Sequence, residues 1–197
     1  MARTFALTIL IFWLGAVLLA RLLDIHGNAI DLQHILASPS LRYWFGSDDL
    51  GRDILARVLR GAEISIMVAI VVTIINMLIG VTIGLLAGFF GGKLDRLLMQ
   101  ITDVFLAFPG ILLAIAFAAV LGPGMLNLVF ALCLTGWVSY ARLTRGQTLS
   151  LRNRQHVQAA ESLGATPYRL MSRHILPLLT SLLMVEATYS LASIMIA

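Results

Sequence analysis

Charge is scarce in this chain of 197 residues: Asp, Glu, Lys and Arg make up 12% of it, against about a quarter in an ordinary soluble domain. That shortage excludes a soluble globular domain of conventional composition. Cysteine occurs once, at Cys133 inside an apolar run, so no intrachain disulfide can form. The four histidines are scattered, and no His or Cys cluster stands at metal-ligand spacing. A phosphate-binding loop is also missing. Gly46, Gly51 and Gly61 lack its spacing and no Gly-Lys-Ser/Thr sequence occurs, so ATP hydrolysis would have to come from another chain. The net charge is +4, but the arginines lie in short blocks between apolar runs, with no basic face bearing stacking aromatics. Nucleic acid is therefore not an expected partner.

What is abundant is hydrocarbon. Apolar residues form 59% of the chain and gather in runs near 5–23, 62–90, 99–121, 125–141 and 178–197. A helix needs about 20 apolar residues to cross a bilayer core. Five spans are expected, giving an all-α polytopic transmembrane bundle in contact with lipid. A cleaved signal peptide is the rival reading of the first run, but the run is longer than a typical h-region and lacks a clear small-x-small site.

Lysine and arginine in the loops set orientation. Arg142, Arg145, Arg152, Arg154, Arg169 and Arg173 follow the fourth run against one acid, Glu161. The 142–177 segment is thus expected in the cytoplasm, with 91–98 on the same side and the Gly122-Pro123-Gly124 turn outside. The organisation read from this is an N-terminal span, external loop and interfacial helix over 1–61, then a core of spans over 62–197. The 24–61 loop falls outside, although it carries Arg42, Arg52, Arg57 and Arg60 beside five aspartates.

Gly80, Gly84 and Gly88 recur every four residues, with Asn76 one step earlier. Such a stripe lets a second helix approach closely, although glycine is also simply common in membrane helices. Pro109 interrupts the third run and predicts a kink, either static or serving as a hinge or pathway element. Asp103 is expected in the first turn of that span, where the helix dipole favours a carboxylate. Glu186 lies deeper in the fifth run and is a functional candidate by default, as a pathway residue or a paired group. No second acid or histidine shares its predicted face, which argues against intramembrane catalysis.

Between the fourth and fifth runs, local chemistry predicts two short helices. One spans Arg154 to Leu163, Gly164 takes the left-handed position after it, and Thr166-Pro167 caps and opens the next. Ala159 and Ala160 are expected to be exposed, leaving a surface around which a partner closes without obstruction; an amphipathic loop on lipid phosphates is the alternative. In the long loop, Ser47 or Asp48 is expected to cap an interfacial helix to about Arg60, with Asp53 opposite Arg57.

Gln158-Ala159-Ala160, Gly164-Ala165 and Leu176-Pro177 resemble the coupling loop of permease subunits in bacterial ATP-binding cassette importers. Gln158 replaces that family's usual glutamate and His174 its isoleucine, so a charge-based role at the first position does not carry over. Phe45-Gly46-Ser47-Asp48-Asp49-Leu50-Gly51-Arg52-Asp53 resembles the external signature of its dipeptide, oligopeptide and nickel group. The segments 88–95, 98–109 and 137–142 are similar to that group's C-type subunit. The resemblance implies a type I importer permease (MetI-like) fold in the bacterial inner membrane and a non-enzymatic role. It further implies a heterodimer with a second permease, two ATPase subunits that use ATP and Mg, and a periplasmic or lipid-anchored substrate-binding protein. No cofactor would be bound directly. Di- or oligopeptides are the implied cargo, with nickel or another small solute as the alternative. Gly46, Asp48, Asp49, Gly51, Arg52 and Asp53 would serve either as a surface connector or in docking the binding protein. Members of the group continue through a sixth span, whereas this sequence stops at Ala197. Weak assembly or transport, or a non-transporting scaffold, is the expectation for the chain as it stands.

Overall fold

The computed structural model describes residues 29–108 and 110–196, with Gly15 alone ahead of them. The expected first span and Pro109 lie outside the described residues. Two compact units divide the chain, one up to Met67 and one from Val68 onward.

Among the described residues a short 3-10 turn, Leu32–His34, is followed by six helices: α1 Ile54–Phe90, α2 Gly92–Leu106, α3 Gly110–Leu121, α4 Met125–Leu151, α5 Gln155–Ser162 and α6 Pro167–Ile196. No strand occurs among the described residues beyond an isolated bridge between Ser47 and Asp53. Three of these helices, α1, α4 and α6, are long and apolar enough to cross a membrane.

Several expected boundaries move. The interfacial helix does not exist as a separate element: residues 54–60 are the first turns of α1, which runs 37 residues, about 55 Å at 1.5 Å per residue. Its cap is neither Ser47 nor Asp48. Asp53 Oδ1 accepts from the Leu55 N–H at 2.9 Å and the Ala56 N–H at 3.4 Å, satisfying the donors a helix start leaves free. The expected 99–121 span is two helices, α2 ending at Leu106 and α3 opening at Gly110. The fourth helix continues ten residues past the apolar run, through Arg142 and Arg145 to Leu151.

The last helix also starts early. It opens at Pro167, with Thr166 Oγ1 accepting from the Arg169 N–H, and passes through one π turn, Leu170–Ile175. There the Leu176 N–H bonds the Met171 carbonyl, five residues back. Pro177 supplies the physical reason: it has no N–H and its ring crowds the carbonyl four residues earlier, so the helix widens just before it.

The core of the second unit forms where α1, α4, α5 and α6 meet. Leu85, Tyr140, Leu151, Val157, Leu170, Ile175, Leu179 and Leu183 are buried together there. A second group joins Trp137, Val138 and Ala141 to Ile83 and Phe105, with the Phe105 and Trp137 rings edge to face at 5.4 Å.

Candidate functional site

The glycine stripe of α1 lies against α4. A Cβ added at Gly84 would stand 2.5 Å from the Ala141 carbonyl oxygen and 2.7 Å from Thr144 Cβ. One at Gly88 would stand 2.7 Å from Thr148 Cβ, and one at Gly80 would run into Trp137 and Tyr140. The backbones touch because the side chains are absent, which is how helices associate where lipid offers no hydrophobic drive. At the end of this seam Arg152 donates to the carbonyls of Phe89 at 3.0 Å and Gly88 at 3.3 Å, closing the open C-terminus of α1.

Two arginines assigned to a loop are helix residues paired with α2. Arg145 grips Asp95 with two bonds, Nε to Oδ1 at 2.5 Å and Nη2 to Oδ2 at 2.7 Å, and Arg142 pairs with Asp103. Arg145's hydrogen bonds hold the Asp95 carboxyl below the usual range against opposing desolvation. Sequence reasoning missed these pairs. Their partners stand 50 and 39 residues apart, and only the acids' placement on α2 could have signalled them.

The segment from Arg152 to Arg169 forms an elbow. Its first arm, α5, ends in a hydrogen-bonded reversal: the Gly164 N–H bonds the Glu161 carbonyl at 2.9 Å and the Ala165 N–H bonds Ala160's at 3.0 Å. Gly164 has φ +83°, a left-handed conformation that costs a side-chain-bearing residue about 1–2 kcal/mol. One face of the elbow is seated in the core through buried Val157 and half-buried Ala160 and Ala165, beside half-buried Leu176 of α6. Gln158, Ala159, Gly164 and Pro177 are exposed, as are Leu163 and Tyr168 at 89% and 78%. The expectation that both alanines are exposed is corrected: Ala160 packs inward and Ala159 alone faces out. Leu163 and Tyr168 were not singled out from sequence, although a leucine beside a turn glycine is a legible signal.

The external-signature residues form a knot around Asp48. Its Oδ1 accepts from the N–H groups of Leu50 and Arg52, both at 2.9 Å, and its Oδ2 from Arg52 Nε at 2.8 Å and Arg57 Nη1 at 2.5 Å. Arg57 thus pairs with Asp48 and not with Asp53. Desolvation pushes the Asp48 pKa up, but the backbone donors and the Arg52 guanidinium overcome it and hold the carboxyl well below the usual range. Ser47 Oγ accepts from the Ala37 N–H and donates to the His34 carbonyl. Gly51, at φ +71°, lies directly on the Asp31 backbone, and the Gly46 N–H closes a turn on Tyr43. Phe45 and Asp49 stand out, the Asp49 side chain 81% exposed and 3.9 Å from Arg52.

Glu186 is half-buried on α6.

Long apolar helices, a glycine seam and ion pairs between helices define a polytopic helical membrane protein. A family model described as the binding-protein-dependent transport system inner membrane component matches residues 80–197. The chain belongs to this family. It is therefore a multi-pass inner-membrane protein. It is 47% identical over 150 residues to the glutathione transport system permease protein GsiD of Escherichia coli O6:K15:H31 (strain 536 / UPEC). The same identity holds for the proteins of that description from Shigella boydii serotype 4 (strain Sb227) and Shigella sonnei (strain Ss046). Each match covers 76% of this chain and 50% of the relative, so the chain spans about half the length of the curated relatives it matches.

Proposed function

We propose that this chain is a permease subunit of an ATP-binding cassette importer for small peptides, with the type I (MetI-like) fold. In this reading, residues 5–23 supply a first span and the α2–α3 pair a third, giving five. The observation that carries the proposal is the elbow: one face is locked into the helical core and the other is bare. A rigid lever of that kind passes force from a partner to α4 and α6, which an ATPase closing on Ala159, Leu163 and Tyr168 would exploit. Partners are a second permease, two ATPase subunits that use ATP and Mg, and a substrate-binding protein outside. The knot would lie on that outer side, with Phe45 and Asp49 as its exposed signature residues for docking. Peptide cargo is favoured because the similar GsiD proteins are described as glutathione transport permeases, and glutathione is a tripeptide. Nickel is the alternative within the same architecture.

The test is uptake into proteoliposomes holding the chain with its cognate permease, ATPases and binding protein. Labelled dipeptide and glutathione should accumulate with ATP and nickel should not; nickel uptake alone would transfer the assignment. Ala159→Trp should uncouple hydrolysis and release the ATPases on purification, leaving the helices folded. Cysteines placed at Asp48 and Arg152 without Cys133 should label from opposite sides of the membrane. Labelling from one side would reverse the topology and remove the elbow from the ATPase.

A further inference from the structure

The elbow is continuous with two long helices: α4 runs into it through Arg152, and α6 leaves it at Pro167. A third helix is joined to it without a covalent link. Phe89, at the end of α1, stands 63 residues from Arg152 along the chain, yet the Arg152 guanidinium reaches it.

The backbone of Arg152 belongs to the bend. Its N–H bonds the Thr148 carbonyl at 2.9 Å, and the Arg154 N–H bonds the Leu151 carbonyl at 3.0 Å where the chain turns into α5. Leu151 and Val157 are buried in one cluster across that bend, and close-packed groups pass displacement on. A shift of α5 is therefore delivered to Arg152 across Asn153 and Arg154 alone.

The guanidinium holds the other end. The ladder of α1 closes with the Gly91 N–H on the Ala87 carbonyl at 3.0 Å, and the next two carbonyls, Gly88 and Phe89, accept from Arg152 Nη1 at 3.3 Å and 3.0 Å. They are open because the chain turns back at Gly91 and Gly92, with φ +65° and +60°, directly into α2. A Cβ at Gly91 would stand 3.4 Å from the same Nη1, so the guanidinium lies against the turn itself. The Asp95 N–H then bonds the Gly91 carbonyl at 3.2 Å, joining that turn to the start of α2. A cation here meets both the free carbonyls and the negative end of the helix dipole, which makes the bonds charge-assisted. The glycine seam sets how closely α1 approaches α4. Directional bonds from Arg152 also set its position along the axis.

We propose that Arg152 is a positioning residue for coupling: it ties the elbow to the α1–α2 turn, so that a partner moving the elbow carries α1 and α2 along with α4 and α6. The tie rests on the transport reading and names the side chain through which force leaves the elbow's own backbone.

The test uses the complete importer in nanodiscs and proteoliposomes, this chain with its cognate permease, ATPases and binding protein. In the wild type, ATP binding should change amide exchange at Gly91 and Asp95 as well as in α4 and α6. Arg152→Ala should abolish the change at Gly91 and Asp95 and keep it in α4 and α6. Uptake per ATP hydrolysed should fall at least about fivefold, the lower end of typical coupling between sites. Arg152→Lys retains a cationic donor and should recover part of both. A role in stability alone would lower the thermal midpoint and leave the ratio of uptake to hydrolysis as it was, and an unchanged ratio in Arg152→Ala overturns the tie. So does a wild-type complex whose exchange at Gly91 and Asp95 ignores ATP, a reading that needs no variant to fold. In either case uptake by the wild type survives. A wild-type complex that holds no ATPase or moves no cargo sinks the transport reading and the tie with it.

Discussion

Around Asp48 the polar side chains turn in on one another and the apolar ones are left outside, with Leu41, Trp44 and Phe45 all exposed. Between Arg154 and Arg169 the arrangement is inverted: Val157, Ala160 and Ala165 turn in, while Gln158, Glu161 and Arg169 stay in solvent. Both stretches carry a sequence motif, yet the first spends its motif on its own shape. Asp48, Arg52, Gly51 and Asp53 hold a short coil and start a helix, while Asp49, 3.9 Å from Arg52, stays exposed. The elbow needs only part of its motif for shape. A motif is thus a weaker guide to contact than the direction in which its side chains point.

Substitutions should separate the two designs, most strongly at the elbow. Val157→Asp would bury a charge with no partner in the shared core, costing about 4 kcal/mol or more. The purified protein should lose its cooperative thermal transition in detergent. A transition near the wild-type midpoint would show that the elbow is not seated as described.

Asp48→Ala should be the largest effect available in the knot, and a local one. Exchange protection at the Leu50 and Arg52 amides should vanish while that of α4 and α6 persists. If protection fell along α4 as well, the knot would not be self-contained.

Gly164→Val should cost about 1–2 kcal/mol through its left-handed backbone, lowering the thermal midpoint modestly. An unchanged midpoint would mean that the reversal relaxes at no expense.

Acidification should do least. Asp48 and Asp95 both have lowered pKa values in the fold. Their contribution is full above the ordinary aspartate value of about 3.9 and is lost only as pH falls through the lowered folded values. Exchange in the knot should therefore be flat from about pH 7 to about pH 5 apart from intrinsic chemistry. Asp49→Ala should change neither this profile nor stability.

Local chemistry was the most legible part of the chain. Gly164 and Thr166-Pro167 announce a reversal and a new helix because left-handed φ, hydroxyl capping and a missing N–H act within four residues. The spacing of Gly80, Gly84 and Gly88 likewise fixes a smooth face, and α4 fills it. Helix ends were misjudged where charges were read as loop markers. Arg142 and Arg145 stay helical because Asp103 and Asp95 neutralise them across a helix interface, a fact no local window contains. The Asp48 hub was hidden for a related reason: Asp53 and Arg57 have ideal helical spacing, but Asp53 is occupied as a cap and Arg57 turns back to Asp48.

The π turn at Leu170–Ile175 also fixes an angle. A π turn behaves as one residue inserted into a regular helix, so it advances everything beyond it by about 100° around the axis. Leu179 and Leu183 share the core with Tyr140 in that advanced phase; with the turn wound as ordinary α-helix, their face would swing about a quarter of a revolution away from α4. The proline that opens the turn near one end of α6 therefore acts as a rotary setting for side chains further along the helix. Any process that winds or unwinds that single turn would rotate Leu179 and Leu183 towards or away from α4.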